Sequence, residues 1–232
     1  MSFWKVAMKR STHLSKSYII IGVFLTVYGV VISNLLSIIP PDISTPAPIN
    51  LTNSFPLLSI ALLSMAAVLF ALPVIMLFVY DKNNGVLEYL LSTGLDQLDI
   101  FKGYVKASLM LATYLLVSAI ILNTVVGILL GTGLTLLVII AILTFAIGIS
   151  EVFLVSVCMV AFSSLQRTPM GANQPLGVII GIVPMFPALM LPLAFPTYAI
   201  VVDLTIAAIT LLASLALLLS TGRLIRREKL LP

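Results

Sequence analysis

The stretch LTLLVIIAILTFAIGISEVFLVSVCMVAF, from Leu134 to Phe162, decides the fold class of this chain. Its only charged residue is Glu151, and its apolar residues follow one another without the alternation of a half-buried strand. A helix needs roughly 20 apolar residues to cross the hydrocarbon core of a bilayer, and this run is long enough. The stretch therefore predicts a transmembrane helix.

Five more apolar runs lie on either side of it. The six predicted spans are approximately Ser17–Ile39, Leu57–Tyr80, Val105–Leu130, Leu134–Phe162, Leu176–Ala194 and Leu204–Gly222. Hydrophobic residues make up 61% of the chain and charged residues only 9%, against about 25% charged in soluble domains. Continuous apolar runs also exclude a β-barrel, whose strands alternate. We expect an all-α integral membrane protein, with one transmembrane domain over residues 1–232.

The Lys and Arg residues predict the orientation, because short cytoplasmic loops retain basic residues. They precede the first predicted span, lie between the second and third or at the start of the third, follow the fourth, and close the chain. The translocated side would carry Asp42 and Asp203 and no basic residue. We expect a multi-pass protein of the cell membrane with both termini cytoplasmic. The net charge of +4 is then a signal of topology rather than of nucleic-acid binding.

Residues 1–16 predict a short elbow helix in the membrane interface. Apolar residues lie near one helical face and basic residues around the other: Phe3, Trp4, Ala7 and Met8 against Lys5, Lys9 and Arg10. This pattern is typical of a helix that lies at the lipid surface. The alternative is a basic tail that only orients the first span.

Prolines and turn residues mark the predicted outer loops. The segment Pro40–Pro56 is too short for a domain, and Asn50 matches a glycosylation acceptor pattern that chance explains equally well. Prolines at positions 184, 187, 192 and 196 predict that the fifth span breaks near its outer end.

Motifs for catalysis and nucleotide binding do not occur in the sequence. The single histidine, His13, excludes a paired-histidine metal site, and neither G-x-x-x-x-G-K-[ST] nor G-x-G-x-x-G is found. We expect no catalytic residue, no metal site, no bound cofactor and no enzymatic activity of the chain itself. Energy from ATP would have to reach it through a partner.

One charged segment, residues 81–103, interrupts the apolar sequence. Asn83 or Asn84 could cap a short helix that Gly94 ends, and Asp96 could cap the helix that leads into the third span. An apolar stripe is formed by Leu87, Leu90 and Leu91. A short cytosolic helix with such a stripe and a carboxylate is typical of one that docks into a groove on a soluble partner.

The sequence GVLEYLLSTGLDQLDIFKG, Gly85 to Gly103, resembles the signature of the type-2 ABC transporter permeases. That signature runs Gly-Thr-Leu-Glu-x-Leu-Leu-x-Thr-Pro and then Ser-x-x-Glu-Ile-x-x-Gly-Lys. The matching residues are Gly85, Leu87, Glu88, Leu90, Leu91, Thr93, Ile100 and Gly103, with Asp99 in place of Glu. The departures are Val86, Gly94, Asp96 and Tyr104, of which Tyr104 leaves the start of the third span least well matched.

The resemblance implies a permease subunit of an ATP-driven exporter. Two permeases, identical or different, would form the pathway in the lipid, and separate ATP-binding subunits would carry ATP and magnesium. The coupling helix that contacts those subunits would comprise Gly85, Leu87, Glu88, Leu90, Leu91 and Thr93. The alternatives are an ion-coupled secondary transporter that uses Glu151, and a membrane assembly subunit that transports nothing.

Glu151 is the one charged residue deep inside a predicted span, since Lys106 lies at the very start of the third. A carboxylate at that depth costs a few kcal/mol unless it is protonated, paired or in contact with water. We expect it to face the interior of the helix bundle or the transport pathway. Two roles remain open: contact with a substrate, or a hydrogen bond to a neighbouring polar side chain such as Ser156.

Overall fold

A computed structural model describes residues 3–14, 16–36, 51–162, 190–191 and 198–224. Within these ranges the chain is helical and contains no strand. Seven helices are described: α1 Phe3–Leu14, α2 Lys16–Leu36, α3 Leu51–Asn83, α4 Val86–Ser92, α5 Gln97–Leu129, α6 Leu134–Phe162 and α7 Ala199–Leu224. The predicted all-α class is therefore confirmed.

Five of these helices, namely α2, α3, α5, α6 and α7, are long and apolar enough to cross a membrane. They coincide with the first, second, third, fourth and sixth predicted spans. The fifth predicted span, residues 176–194, and its proline-rich break lie outside the described residues except at positions 190 and 191. The chain is thus a multi-pass helical membrane protein.

Three helices begin several residues before the predicted spans. α3 begins at Leu51, so the predicted outer loop Pro40–Pro56 is wrong over its last six residues. α5 begins at Gln97, before the predicted span but directly after the predicted cap Asp96, and α7 begins at Ala199 rather than Leu204. Hydropathy marks where a helix is apolar, whereas the backbone hydrogen bonds of a helix continue into polar sequence.

α3 is the central helix of the described bundle. It packs against α2, α5 and α6, and 67% of its apolar window is buried, compared with 33% for α2 and 28% for α7. Small residues make this packing close, because Ala66, Ala67, Ala71 and Ala112 are all fully buried between α3, α5 and α6. Without bulky side chains the helix backbones can approach one another, which favours association in lipid.

The start of α7 packs at the opposite end of α3 from α4. Ala199 lies in one apolar cluster with Leu57, near the start of α3, and Ile140, near the start of α6. α4 instead follows the last residue of α3, Asn83. The described bundle therefore has two distinct ends, of which one carries α1 and α4.

α1 forms the helix that the sequence predicts, with the predicted apolar face. Ala7 is buried, and Phe3, Trp4 and Met8 pack against side chains of the same core. That core belongs to α3 and α5, so the apolar face of α1 is bound to its own bundle. A position in the membrane interface stays a prediction.

Candidate functional site

α4 is a two-turn helix set between two left-handed glycines. Gly85 precedes it with φ 72°, and Gly94 follows it with φ 87°. These conformations cost a glycine little because it has no β-carbon. The sequence suggested that Asn84 caps α4, but it does not. Its side-chain amide donates instead to the carbonyl of Tyr80 at the end of α3. Gly94 follows α4 as predicted. Asp96 stands at the predicted N-cap position of α5, but its side chain makes no capping hydrogen bond there.

The apolar stripe of α4 is turned inward. Leu87 is only 1% exposed, and Leu90 and Leu91 are partly buried against the same cluster. This cluster, here called the basal core, contains Ala7, Val74, Leu77, Phe78, Leu87, Ile100, Phe101, Tyr104, Val105, Ala107, Leu111 and Val157. Most of it belongs to α3 and α5, so the stripe holds α4 to its own subunit.

The outer face of α4 does not carry the leucines that the sequence predicted would contact a partner. Tyr89 is 67% exposed, and Ser92 and Thr93 are exposed beside it. Glu88 is half-buried in the first turn. Of the predicted contact residues, Thr93 is open to a partner and Leu87 is not. Tyr89, a variable position of the motif, is the large side chain that α4 presents.

A buried carboxylate joins three helices beside α4. The three residues involved, Arg10, Asp81 and Tyr104, are here called the clamp. Asp81, near the end of α3, is fully buried and accepts two hydrogen bonds from Arg10 of α1, at 2.8 and 3.0 Å. The hydroxyl of Tyr104 in α5 donates to the same carboxylate at 2.6 Å. Paired and hydrogen-bonded in this way, a buried charge is tolerated.

Aromatic packing surrounds this clamp. The ring of Tyr104 meets Phe3 and Phe78 edge to face, with centroids 5.2 and 5.3 Å apart. A β-carbon at Gly103 would overlap the ring of Phe3, so only glycine lets α1 approach α5 this closely. The indole of Trp4 lies under the ammonium group of Lys106, 5.3 Å from the ring centroid.

Sequence reasoning missed the clamp, although two signals pointed to it. Asp81 was counted with the cytoplasmic segment because it follows the apolar run directly. Tyr104 was noted only as a departure from the permease motif. Its hydroxyl has a defined partner in Asp81, which lies in the last turn of α3.

Glu151 is buried, as predicted, on the face of α6 that lies inside the bundle. It is 1% exposed, and neither carboxyl oxygen has a hydrogen-bond partner among the described residues. The suggested bond to Ser156 is wrong, since that hydroxyl bonds the carbonyl of Val152. The neighbouring Ser150 does bond α7: its hydroxyl donates to Thr210 at 3.0 Å, and its backbone carbonyl accepts from the hydroxyl of Ser214 at 3.1 Å.

Asp203 is a second buried carboxylic acid that sequence reasoning did not place in a span. It was expected in the outer loop, but α7 begins four residues before it and leaves it 1% exposed. One carboxyl oxygen, Oδ2, lacks a hydrogen-bond partner among the described residues, as does the hydroxyl of Thr144 in α6. The signal that could have found it is the helix-compatible sequence TYAIVVD before the apolar run.

No group of three His, Cys, Asp or Glu side chains comes together in the described ranges as a metal site would require. The contacts described above make the basal end of the bundle the candidate functional site, since α4, the clamp and the basal core meet there. Comparisons with protein-family models, with curated proteins and with solved structures find no match to this chain.

Proposed function

We propose that the chain is the membrane subunit of an ATP-driven transporter, and that it works with a separate ATP-binding subunit. One observation carries this proposal: α4 projects Tyr89 outward while Leu87 anchors it between α3 and α5. A force on the outer face of α4 would reach two long helices through packed side chains. A loop that merely joined two spans would not need this anchoring.

The clamp supports the transmission of such a force. Packed cores change arrangement as units rather than deforming continuously. Arg10 and Tyr104 hold Asp81 from both sides, so the end of α3 moves together with α1 and α5. Closure of an ATP-binding partner against α4 would thus tilt helices rather than bend a loop. The helices would then switch access from one side of the membrane to the other.

The remaining features of the proposal follow from the resemblance to the type-2 permeases. A second permease, identical or different, completes the pathway, and the ATP-binding subunits supply ATP and magnesium. The chain itself hydrolyses nothing. Both termini and α4 lie on the cytoplasmic side of the cell membrane, and the direction of transport is export.

Tyr89 offers a sharper test than the leucines of the stripe. Leu90 packs against the basal core, so Leu90→Asp would disturb the subunit itself. Tyr89→Arg changes an exposed residue and should leave the fold intact. If Tyr89 is a buried anchor of the interface, its loss weakens association with the ATP-binding subunit by about tenfold or more.

The experiment purifies the tagged chain from its native membrane and measures the copurified ATP-binding cassette protein and its ATPase activity. Tyr198→Arg is the matched control, because Tyr198 is 64% exposed and adjoins Ala199 at the opposite end of the bundle. We expect Tyr89→Arg to lose the partner and the control to keep it. Absence of any such partner from the wild-type preparation would refute the proposal.

A second candidate function, ion-coupled transport, rests on the two buried acids. Glu151 and Asp203 have carboxyl oxygens without hydrogen-bond partners among the described residues, and acids inside spans often mark ion pathways. This candidate predicts uptake driven by an ion gradient in vesicles that contain the chain alone. It also predicts that Glu151→Gln abolishes the uptake while leaving assembly unchanged. Vesicles that transport under neither ATP nor an ion gradient would favour a pure assembly subunit.

A further inference from the structure

A pocket of about 380 Å³ lies between α1 and the C-terminal turns of α3. It is lined by Lys9, Arg10 and His13 of α1 and by Tyr80 of α3. It is an open groove at the surface of the two helices rather than an enclosed cavity. The function proposed above does not use this pocket.

The lining of the pocket favours an anion. Lysine offers only donors, and the guanidinium of Arg10 has N–H groups left after those that bond Asp81. Asp81 itself is fully buried, so its charge lies behind the arginine rather than in the pocket. The ion pair also holds the guanidinium in place before a ligand arrives, which lowers the cost of ordering it.

The position of the pocket along the bundle indicates where the anion comes from. Tyr80 lies in the last turns of the Leu57–Asn83 span, and α1 directly precedes the first span. By these bounds the pocket would be level with the membrane surface, where tyrosines collect and lipid phosphates lie. Basic pockets beside membrane helices at this level are suited to anionic headgroups.

We propose that this pocket binds the phosphate of an anionic phospholipid headgroup. A lipid held there bridges Lys9 and Arg10 of α1 to Tyr80 of α3, so it adds a second connection between the two helices beside the Arg10–Asp81 ion pair. A soluble phosphate offers the same chemistry but has no acyl chains to hold it at the membrane surface. The inference does not depend on the transport function.

The experiment uses the full chain in a neutral detergent and measures bound lipid by native mass spectrometry. The probes are phosphatidylglycerol and phosphatidylcholine with identical acyl chains. Lys9→Gln removes one charge from the pocket, and Lys102→Gln removes one from an exposed position of α5 that does not line it. A third arm adds inorganic phosphate as a competitor.

We expect phosphatidylglycerol to bind in preference to phosphatidylcholine. Lys9→Gln should weaken that binding by about fivefold, and Lys102→Gln should leave it unchanged. Equal losses in the two variants, or none in either, would mean diffuse attraction to the basic surface and would overturn the proposal. Displacement of the lipid by inorganic phosphate at equal concentration would also overturn it, because the site would then be one for soluble phosphate.

Discussion

Substitution of Tyr104 by phenylalanine tests the clamp at the base of the bundle. The change removes one hydroxyl, which donates to Asp81 at 2.6 Å, and keeps the ring that packs against Phe3 and Phe78. Asp81 retains both bonds from Arg10, so the carboxylate stays paired. The variant therefore isolates the bond between α3 and α5 from the packing around it.

The expected magnitude follows from the charge on the acceptor. A hydrogen bond to a charged group contributes about 1.5–3 kcal/mol to stability. For a chain of this length, 1 kcal/mol shifts the melting temperature by about 2–4 °C. Tyr104→Phe should thus lower the melting temperature by roughly 3–12 °C.

The measurement is thermal unfolding of the purified chain in detergent. Tyr114→Phe is the matched control, since Tyr114 is on the same helix, is 62% exposed and is expected to lose nothing of similar size. A melting temperature for Tyr104→Phe within about 1 °C of the control would refute the clamp as a stabilising feature.

The same clamp predicts coupling between its two donors. Arg10 and Tyr104 both bond the Oδ2 atom of Asp81. Groups that share a partner do not contribute independently, so the combined change Arg10→Gln and Tyr104→Phe should differ from the sum of the single changes by about 0.5–3 kcal/mol. Additive losses would indicate that the two bonds act separately.

Three further variants test the packing and the topology. Gly103→Ala should destabilise the chain by about 1–3 kcal/mol in unfolding experiments, because the added β-carbon meets α1, whereas Gly133→Ala adds a β-carbon in open space and should cost little. Leu87→Ala should cost about 2–5 kcal/mol by leaving a cavity in the basal core, and Leu95→Ala, at an exposed position, less than about 0.5 kcal/mol. Single cysteines at Leu95 and Tyr198, in an otherwise cysteine-free chain, should react with an impermeant thiol reagent from opposite sides of the membrane. Labelling of both variants from the same side would contradict the predicted topology.

The inward stripe of α4 changes how the resemblance to the permease signature is interpreted. The spacing of Leu87, Leu90 and Leu91 correctly predicts a short helix with one apolar face. Spacing alone does not identify which surface covers that face. The basal core covers it, so a partner that bound α4 would contact Tyr89 and Thr93 on the other side. The three leucines thus hold α4 to its own subunit.

The sequence by itself determined the class of the protein and the approximate position of five spans. Hydropathy is a local property, and a long apolar run has few ways to satisfy its backbone in lipid other than as a helix. The sequence also predicted the apolar face of α1 and the glycine that ends α4. Both features depend only on residues within one or two helical turns.

Only the tertiary structure decided what the polar residues of the bundle contact. Asp81 is separated from Arg10 by 71 positions and from Tyr104 by 23, and no local pattern joins them. The same holds for Asn34, which donates to Asn123 across α2 and α5 at 2.9 Å. Asp203 looked like a loop residue because hydropathy falls at a charge, but the helix continues past it and buries it. The partners of buried polar groups depend on which helices pack together, and that is set by the summed burial of whole apolar faces rather than by neighbours in sequence.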